Sequence, residues 1–517
     1  MRVEIGDMEW IELYSDNQRQ WKINDLIVEL EEAHKGFTVR VASPGIPLSR
    51  IQLTWRKKIF PETKFLGDAF ERSYGDLGFE ILQPDRIMPW YFMAVHNNQT
   101  ECYGVMTDPN ALCSWQVNDT EIDLWIDIRN GTSPLQLGNR VLDAVTVVYD
   151  HTDTLEPFEA ATAFCETMCP TPNLPREPIY GGNDWYYAYG NNSEALILEH
   201  TALISNLSGA NAVRPFMVID DGWQVDHSSS YNGGPWHQSN QKFGFMKELA
   251  QKIKQMDVRP GIWLRPLLVH TVENQDHILH AQPNNSEYIL DISHPDVLKK
   301  VSEDIERIVD WGFELIKHDF STVDIFGQWG SEMNLQYTNK VISFHDKTLT
   351  TAEIVKKFYK TIKEKSQSAY IIGCNTISHL AAGVFEIQRT GDDTSGREFS
   401  RTRKMGINTL AYRMPQHNTF YSADADCVGI TTEIPWHQNV QWLQVLSNSG
   451  TPLFISCNPN ELTEEMTMDL KKAFELASQY QNSAVPVDWL SNSYPSVWKS
   501  DQGLTRYEWY SSPRSFE

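Results

Sequence analysis

The chain has 517 residues, 41% hydrophobic and 22% charged, a composition typical of soluble globular proteins and long enough to build more than one core. Lys and Arg total 44 against 68 Asp and Glu, a net charge of −24, which argues against nucleic acid or anionic membrane as partners and favours a neutral ligand. No apolar run approaches the roughly 18 residues that a membrane span needs.

The first residues, MRVEIGDMEWIELYSD, contain neither a basic region nor an apolar core of the secretory kind, so the expected location is cytoplasmic. Up to about residue 150 the apolar residues alternate with polar ones: Phe37, Val39 and Val41; Ile51, Leu53 and Trp55; Ile122, Leu124, Ile126 and Ile128. Period-two runs between Gly, Asn and Pro turns predict an antiparallel β-sandwich over residues 1–170. The stretch CPTPNLPREP, with Pro170, Pro172, Pro175 and Pro178, disfavours helix and ladder and predicts a linker.

Beyond it, eight short apolar segments alternate with helical stretches: IYGGNDWYYAYG, RPFMVIDDGW, VRPGIWLRPLL, FELIKHDF, AYIIGCN, FEIQRTGDD, INTLAYRMPQ and TPLFISC. This rhythm predicts a (β/α)8 TIM barrel over 178–480. In HPDVLKKVSEDIERIVDWG, Val297, Val301, Ile305 and Val309 recur every four residues between Pro295 and Gly312, the pattern of a helix feeding the next strand. A short C-terminal β segment is expected over 481–517, where PSVWKS and LTRYEWY flank Asp501-Gln502-Gly503 as a hairpin.

Barrel enzymes carry their chemistry at the C-terminal ends of the strands. Side chains alternate along a strand, so Leu315, Lys317 and Asp319 share one face and Ile316 and His318 the other. With the first set facing the axis, Lys317 emerges beside Asp319 and favours its ionised form, as a nucleophile requires. Taken alone, a structural ion pair explains the two equally well. Other strands also end on charge: Asp220 and Asp221 after MVI, and Arg389, Asp392 and Asp393 after FEIQ. A polyol ligand rich in hydroxyl donors would satisfy so many carboxylates, and a facing pair is the minimum equipment for glycoside hydrolysis. Asp319 and Asp393 are the expected pair; Asp392 is the alternative acid, or else orients Arg389. Trp185, Trp223 and Trp263, at or near strand ends, are candidates for stacking on a sugar ring or for plain core packing. Cys374 and Asn375 close the fifth strand.

In this order, DDGW, GIWLRP, LDISHPDV, IKHD, GCN and RTGDD resemble the α-galactosidase clan, closest to glycoside hydrolase family 36. The resemblance implies an exo-acting retaining α-galactosidase in which Asp319 attacks the anomeric carbon and Asp393 serves as acid and then base. It also implies that Lys317, Asp220 and Asp221 bind galactose hydroxyls, that Trp263 lies in the family's G-x-W-x-x-P strand, and that Cys374 lines the pocket near the 2-hydroxyl. The family's K-W-D-x-N reads Lys317-His318-Asp319-Phe320-Ser321 here. α-N-acetylgalactosaminidase, galactosyl-transferring and α-glucosidase activities are alternatives on the same scaffold, and a catalytically silent sugar-binding barrel is the alternative outside enzymes. No cofactor is expected. No metal is expected either, because Cys165 and Cys169 lack a second pair at zinc-site spacing and His270, His294, His318 and His417 are dispersed in sequence. The expected partner is an oligosaccharide or glycoside; a homo-oligomer, with the sandwich shaping a neighbour's site, is left open.

Overall fold

A computed structural model describes residues 1–6, 9–15, 17–281 and 287–510. The N-terminal part forms two antiparallel sheets, one of six strands and one of eight, drawn from Arg2 to Thr152. The alternation in sequence sets their inner faces: Val39, Val41, Ile51, Leu53, Ile122, Leu124 and Ile126 are all buried. Aromatic rings join the sheets, with Trp115 of one set against Phe92 and Tyr103 of the other at 5.6 and 6.2 Å between centroids. A helix that the sequence reading did not anticipate, Pro157–Met168, follows, started by Pro157 and burying Phe158, Phe164 and Cys165.

The proline-rich stretch carries no regular element until Tyr180, where a nine-stranded sheet begins. Its spatial order is Ser422–Asp424, Ile387–Arg389, Tyr370–Gly373, Leu315–His318, Arg259–Leu264, Phe216–Ile219, Tyr180–Asn183, Leu453–Cys457, Cys427–Ile430, and every neighbouring pair is parallel. Helices such as Glu194–Ser208, Met246–Gln255, Pro295–Asp310 and Thr351–Lys365 stand between successive strands. The sheet curls: its two edge strands are separated in sequence by only Ala425 and Asp426, so one chain segment joins both edges. Asp426 takes a left-handed backbone, φ 74°, at that break.

Here the structure corrects one expected strand. INTLAYRMPQ is helical, a π turn over Thr402–Asn408 followed by α-helix Thr409–Arg413 and a 3-10 turn Met414–Gln416. The physical reason is spacing: Ile407, Leu410, Ala411 and Met414, all buried, recur at three and four residues rather than two. The strands are instead supplied by YSADADCVGI. In helix Pro295–Asp310 the buried set is Val297, Leu298, Val301, Ile305 and Ile308, with Val309 only partly buried. A strict four-residue stripe drifts around a helix of 3.6 residues per turn, so Ile308 takes the last core position.

Inside the curl, Leu315 packs with Val218, Ile372, Ile387 and Phe454 in a separate apolar cluster, while Ile316 joins the main core on the helix side. His318 also faces the helices, ringed by Phe358, Tyr359 and Phe385. At the C-terminus, Val497–Ser500 and Gly503–Arg506 pair antiparallel across Asp501-Gln502, with Val485–Pro486 as a third strand. Among the described residues no helix is long and apolar enough to cross a membrane.

Candidate active site

At the C-terminal ends of the parallel strands lies a pocket of 430 Å³. Seven of the ten predicted site residues line it: Trp185, Asp220, Asp221, Trp263, Lys317, Asp319 and Asp393. They arrive from five segments, at or just beyond the C-terminal ends of their strands. Strand Leu315–His318 delivers two of them, two residues apart on one face.

Asp319 is held by two donors: the Trp263 indole N–H reaches Oδ2 at 3.0 Å and the Phe320 amide reaches Oδ1 at 2.8 Å. Phe320 takes a left-handed backbone, φ 64°, where the chain turns from the strand into the short helix Ser321–Phe326. Burial pushes the Asp319 carboxyl up, but Lys317, Arg72 and the Trp263 N–H outweigh it and hold the group below the usual carboxylate range. Asp393 shows the same contest more strongly. Burial is outweighed by Arg389, Arg72 and Lys317, and the carboxyl falls to about 2. Arg389 Nη2 lies 3.2 Å from Asp393 Oδ1.

Lys317 Nζ donates to Asp220 Oδ2 at 2.7 Å, and Asn183 Nδ2 donates to the same oxygen at 2.7 Å. Asp220 is nonetheless raised, because its burial exceeds what Lys317 returns. Asp221 accepts from Gln224 Nε2 at 2.7 Å, with His227 Nδ1 at 3.2 Å. Behind this pair sits Asp184, which sequence reasoning missed. It accepts from the Asp220 amide and from Asn192 at 2.7 Å each, and burial together with the nearby Asp220 charge pushes it up to about 7.

Three predicted residues lie behind the pocket wall. Arg389 is fully buried, ion-paired to Asp426 at 3.2 Å as well as to Asp393. Cys374 Sγ accepts from Arg389 Nη1 at 3.4 Å and from Arg72 Nη1 at 3.8 Å, and burial raises its thiol well above the usual range. Asn375 is buried beneath helix Ser321–Phe326, where its Oδ1 takes the Val323 amide and its carbonyl takes the Ser321 hydroxyl, while Nδ2 donates to Glu71. These two therefore stand as supports and not as pocket lining. Trp223 is core: it is buried against Trp236 and Trp311 and donates to the Trp263 carbonyl at 3.0 Å. Cys165 and Cys169 are buried free thiols.

Apart from Asp392, the remaining lining came unannounced. Arg72 and Tyr74 belong to the N-terminal part, yet their segment adds itself to the end of the sixth strand: the Ser73 amide donates to Thr390 O at 2.9 Å and the Asp392 amide to Ser73 O at 3.1 Å. Arg72 pairs with Asp392 at 2.8 Å and lies over the Trp329 ring at 5.4 Å. Arg401 holds the other oxygen of Asp392 at 2.7 Å. Asp392 is thus clamped by two arginines. Gly391 has an ordinary backbone; it is glycine because a Cβ there would lie 2.0 Å from Met405 O. Nothing in FERSY, 70–74, signals proximity to residues three hundred positions on. Asp426, in the stretch to which the sequence alone gave no role, anchors Arg389 and accepts the Thr394 amide at 2.8 Å and the Tyr186 hydroxyl.

No family model and no curated protein matches this sequence. Solved structures do. Over 98% of both chains it resembles the α-galactosidase of Thermus thermophilus solved with p-nitrophenyl α-D-galactopyranoside, at 15% identity and a TM-score of 0.63. The α-galactosidase AgaA of Geobacillus stearothermophilus, 15% identical, matches 92% of this chain and 72% of its own with a TM-score of 0.65. The α-galactosidase of Lactobacillus brevis gives 13%, 92%, 70% and 0.62 in the same order. The likeness is one of fold: the molecule shares its architecture with these solved α-galactosidases, among them members of glycoside hydrolase family 36.

Proposed function

We propose that this protein is a retaining, exo-acting α-galactosidase built on a (β/α)8 barrel, in which Ser422–Asp424 and Cys427–Ile430 form one interrupted stave. The observation that carries the reading is the convergence of Asp319 and Asp393, each ionised by neighbouring cations, in one pocket with Lys317 and the Asp220/Asp221 pair. Relatives in fold are solved with p-nitrophenyl α-D-galactopyranoside, stachyose and raffinose, which supports a galactoside as substrate.

In this reading Asp319 attacks the anomeric carbon. Its two hydrogen bonds fix the carboxylate plane while Lys317 keeps it ionised. Asp393 protonates the departing oxygen and then deprotonates the water that releases the sugar. In the open pocket its arginine partners hold it ionised, so a bound sugar has to raise it. Water exclusion and the Asp319 charge both act in that direction. Asp392, tied to Arg72 and Arg401, is the less available of the adjacent pair. Asp220 and Asp221 accept from sugar hydroxyls, and Trp185 and Trp263 offer ring faces to the apolar side of the sugar.

The test is a panel of p-nitrophenyl α-glycosides with the intact chain and with Asp319→Ala. The galactoside is cleaved, and the substitution lowers kcat by at least three orders of magnitude with an unchanged circular dichroism spectrum. Preferential cleavage of the glucoside or the N-acetylgalactosaminide reassigns the sugar. Binding of galactose without turnover of any glycoside makes the protein a sugar-binding barrel. An unchanged rate in the variant removes Asp319 from the mechanism.

A further inference from the structure

Away from the pocket, three side chains of metal-ligating type meet from two neighbouring segments: His277 from a 3-10 turn, and His294 and Asp296 from the start of helix Pro295–Asp310. Their ligand atoms all lie within 4.8 Å of one another. Asp296 Oδ2 is 3.6 Å from His277 Nε2 and 4.0 Å from His294 Nδ1. Zinc–nitrogen and zinc–oxygen bonds of about 2.1 Å set the edge of a tetrahedron at about 3.4 Å. The Asp296–His277 edge is close to that length and the Asp296–His294 edge is longer, so the side chains have to draw in to close on an ion. The Asp296 amide donates to His294 Nδ1 at 3.2 Å, so that nitrogen is the unprotonated one, and an ion bound there takes the lone pair that otherwise caps the helix. The His345 ring packs beside that of His294, 4.3 Å between centroids.

We propose that His277, His294 and Asp296 form a site for a zinc-like divalent transition metal. Two imidazoles and one carboxylate select such ions over magnesium and calcium, which take oxygen ligands. His277 and Asp296 line an open cleft, and Asp296 is 70% exposed, so the ion has an entry path and a fourth position for water. The helix N-terminus disfavours a cation, which the Asp296 carboxylate offsets, and the nearby Lys299 and Lys300 are each paired, with Glu303 and Asp304. The role the geometry points to is a staple. It would tie the His277 turn to the helix start, beside the excursion after the fourth strand that carries His345, Trp329 and Ser331, the last two at the mouth of the pocket. The inference does not depend on which sugar, if any, the pocket takes.

Equilibrium dialysis of the metal-stripped full chain against Zn²⁺, with metal counted by mass spectrometry, tests it. One zinc per chain is expected, with a raised thermal midpoint. His277→Ala and Asp296→Ala each weaken binding at least tenfold, and together they abolish it. His294→Ala is avoided because it removes the helix cap. Circular dichroism verifies the fold of each variant, and His277→Gln replaces His277→Ala if the alanine does not fold. Zinc retained by the double variant, no zinc in the wild type, or equal binding of Mg²⁺ overturns the proposal.

Discussion

Arg72 is the residue on which the electrostatics of the pocket turn. It acts on both Asp319 and Asp393 as a positive charge that lowers their pKa, and it pairs directly with Asp392. Arg72→Met keeps the stem and removes the charge, so both carboxyls rise toward their ordinary range. On any glycoside that the protein turns over, the expected result is a fall in kcat/KM of about ten- to a hundredfold near neutrality, and an acidic limb of the pH profile displaced to higher pH. A limb that stays in place removes Arg72 from the electrostatics of the proposed nucleophile. His318 makes a second case. Both ring nitrogens lack partners inside an aromatic cage, and burial lowers its pKa to about 3. Because the folded pKa lies below the unfolded 6.5, the unfolded state binds the proton first as pH falls. Stability present above 6.5 is then lost between 6.5 and about 3. His318→Phe removes that linkage and flattens the decline of unfolding free energy in this window by up to about 1.4 kcal/mol per pH unit. Urea titrations at several pH values measure it, and parallel curves for the two proteins contradict it.

At the scale of elements, what could be read in the sequence depended on whether the determining contacts are local. The period-two strands of the first 150 residues and the short apolar runs before Asp220, Trp263 and Asp319 are local patterns, and the structure follows them. Lys317 and Asp319 reach the pocket on the predicted face because pleating alone decides it. Two elements were misjudged for physical reasons. Residues 407–416 are apolar and flanked by turn residues, and a short run of that kind reads as strand or helix until its spacing is weighed. The true strands beside it, SAD and CVGI, are only three and four residues long, and the first has little β-propensity. Asp426, at the break between them, is tolerated because it meets Arg389, and that partner is non-local. The contribution of segment 70–76 was invisible for the same reason. Its place is set by one short pairing with residues 390–392, and no periodicity encodes a contact three hundred residues away. Cys374 and Asn375 were correctly placed at a strand end, but their distance from the pocket depends on Arg389, Arg72 and Glu71 filling the space between.

For the whole molecule, the seam between the N-terminal sheets and the curled parallel sheet decides whether the pocket exists, since Arg72 and Tyr74 cross it. That seam is polar and buried. Asp68 and Arg413 are paired at 2.8 Å with side chains 3% and 0% exposed, Gln416 adds a bond to Asp68 at 2.9 Å, and Arg413 also donates to the Ala69 and Glu71 carbonyls. Further along, Arg140 binds Glu353 at the capping end of helix Thr351–Lys365, and the Trp90 ring stacks on His379 at 5.0 Å. A buried ion pair contributes modest net stability, but removal of one partner strands the other charge, at a cost of about 3–5 kcal/mol. Arg413→Met is therefore expected to lower the thermal midpoint sharply. Asp68→Asn added to it removes the stranded charge and should recover part of the loss, leaving the double variant more stable than the single. Because segment 70–76 hangs from the same residues, the single variant should also lose pocket function well below its unfolding temperature, with a raised KM for any bound glycoside. Calorimetry and steady-state rates on the same three proteins measure both effects. If the double variant is no more stable than Arg413→Met, the pair acts through packing and not through charge. If KM is unchanged while the midpoint falls, the sandwich supports the fold without shaping the pocket.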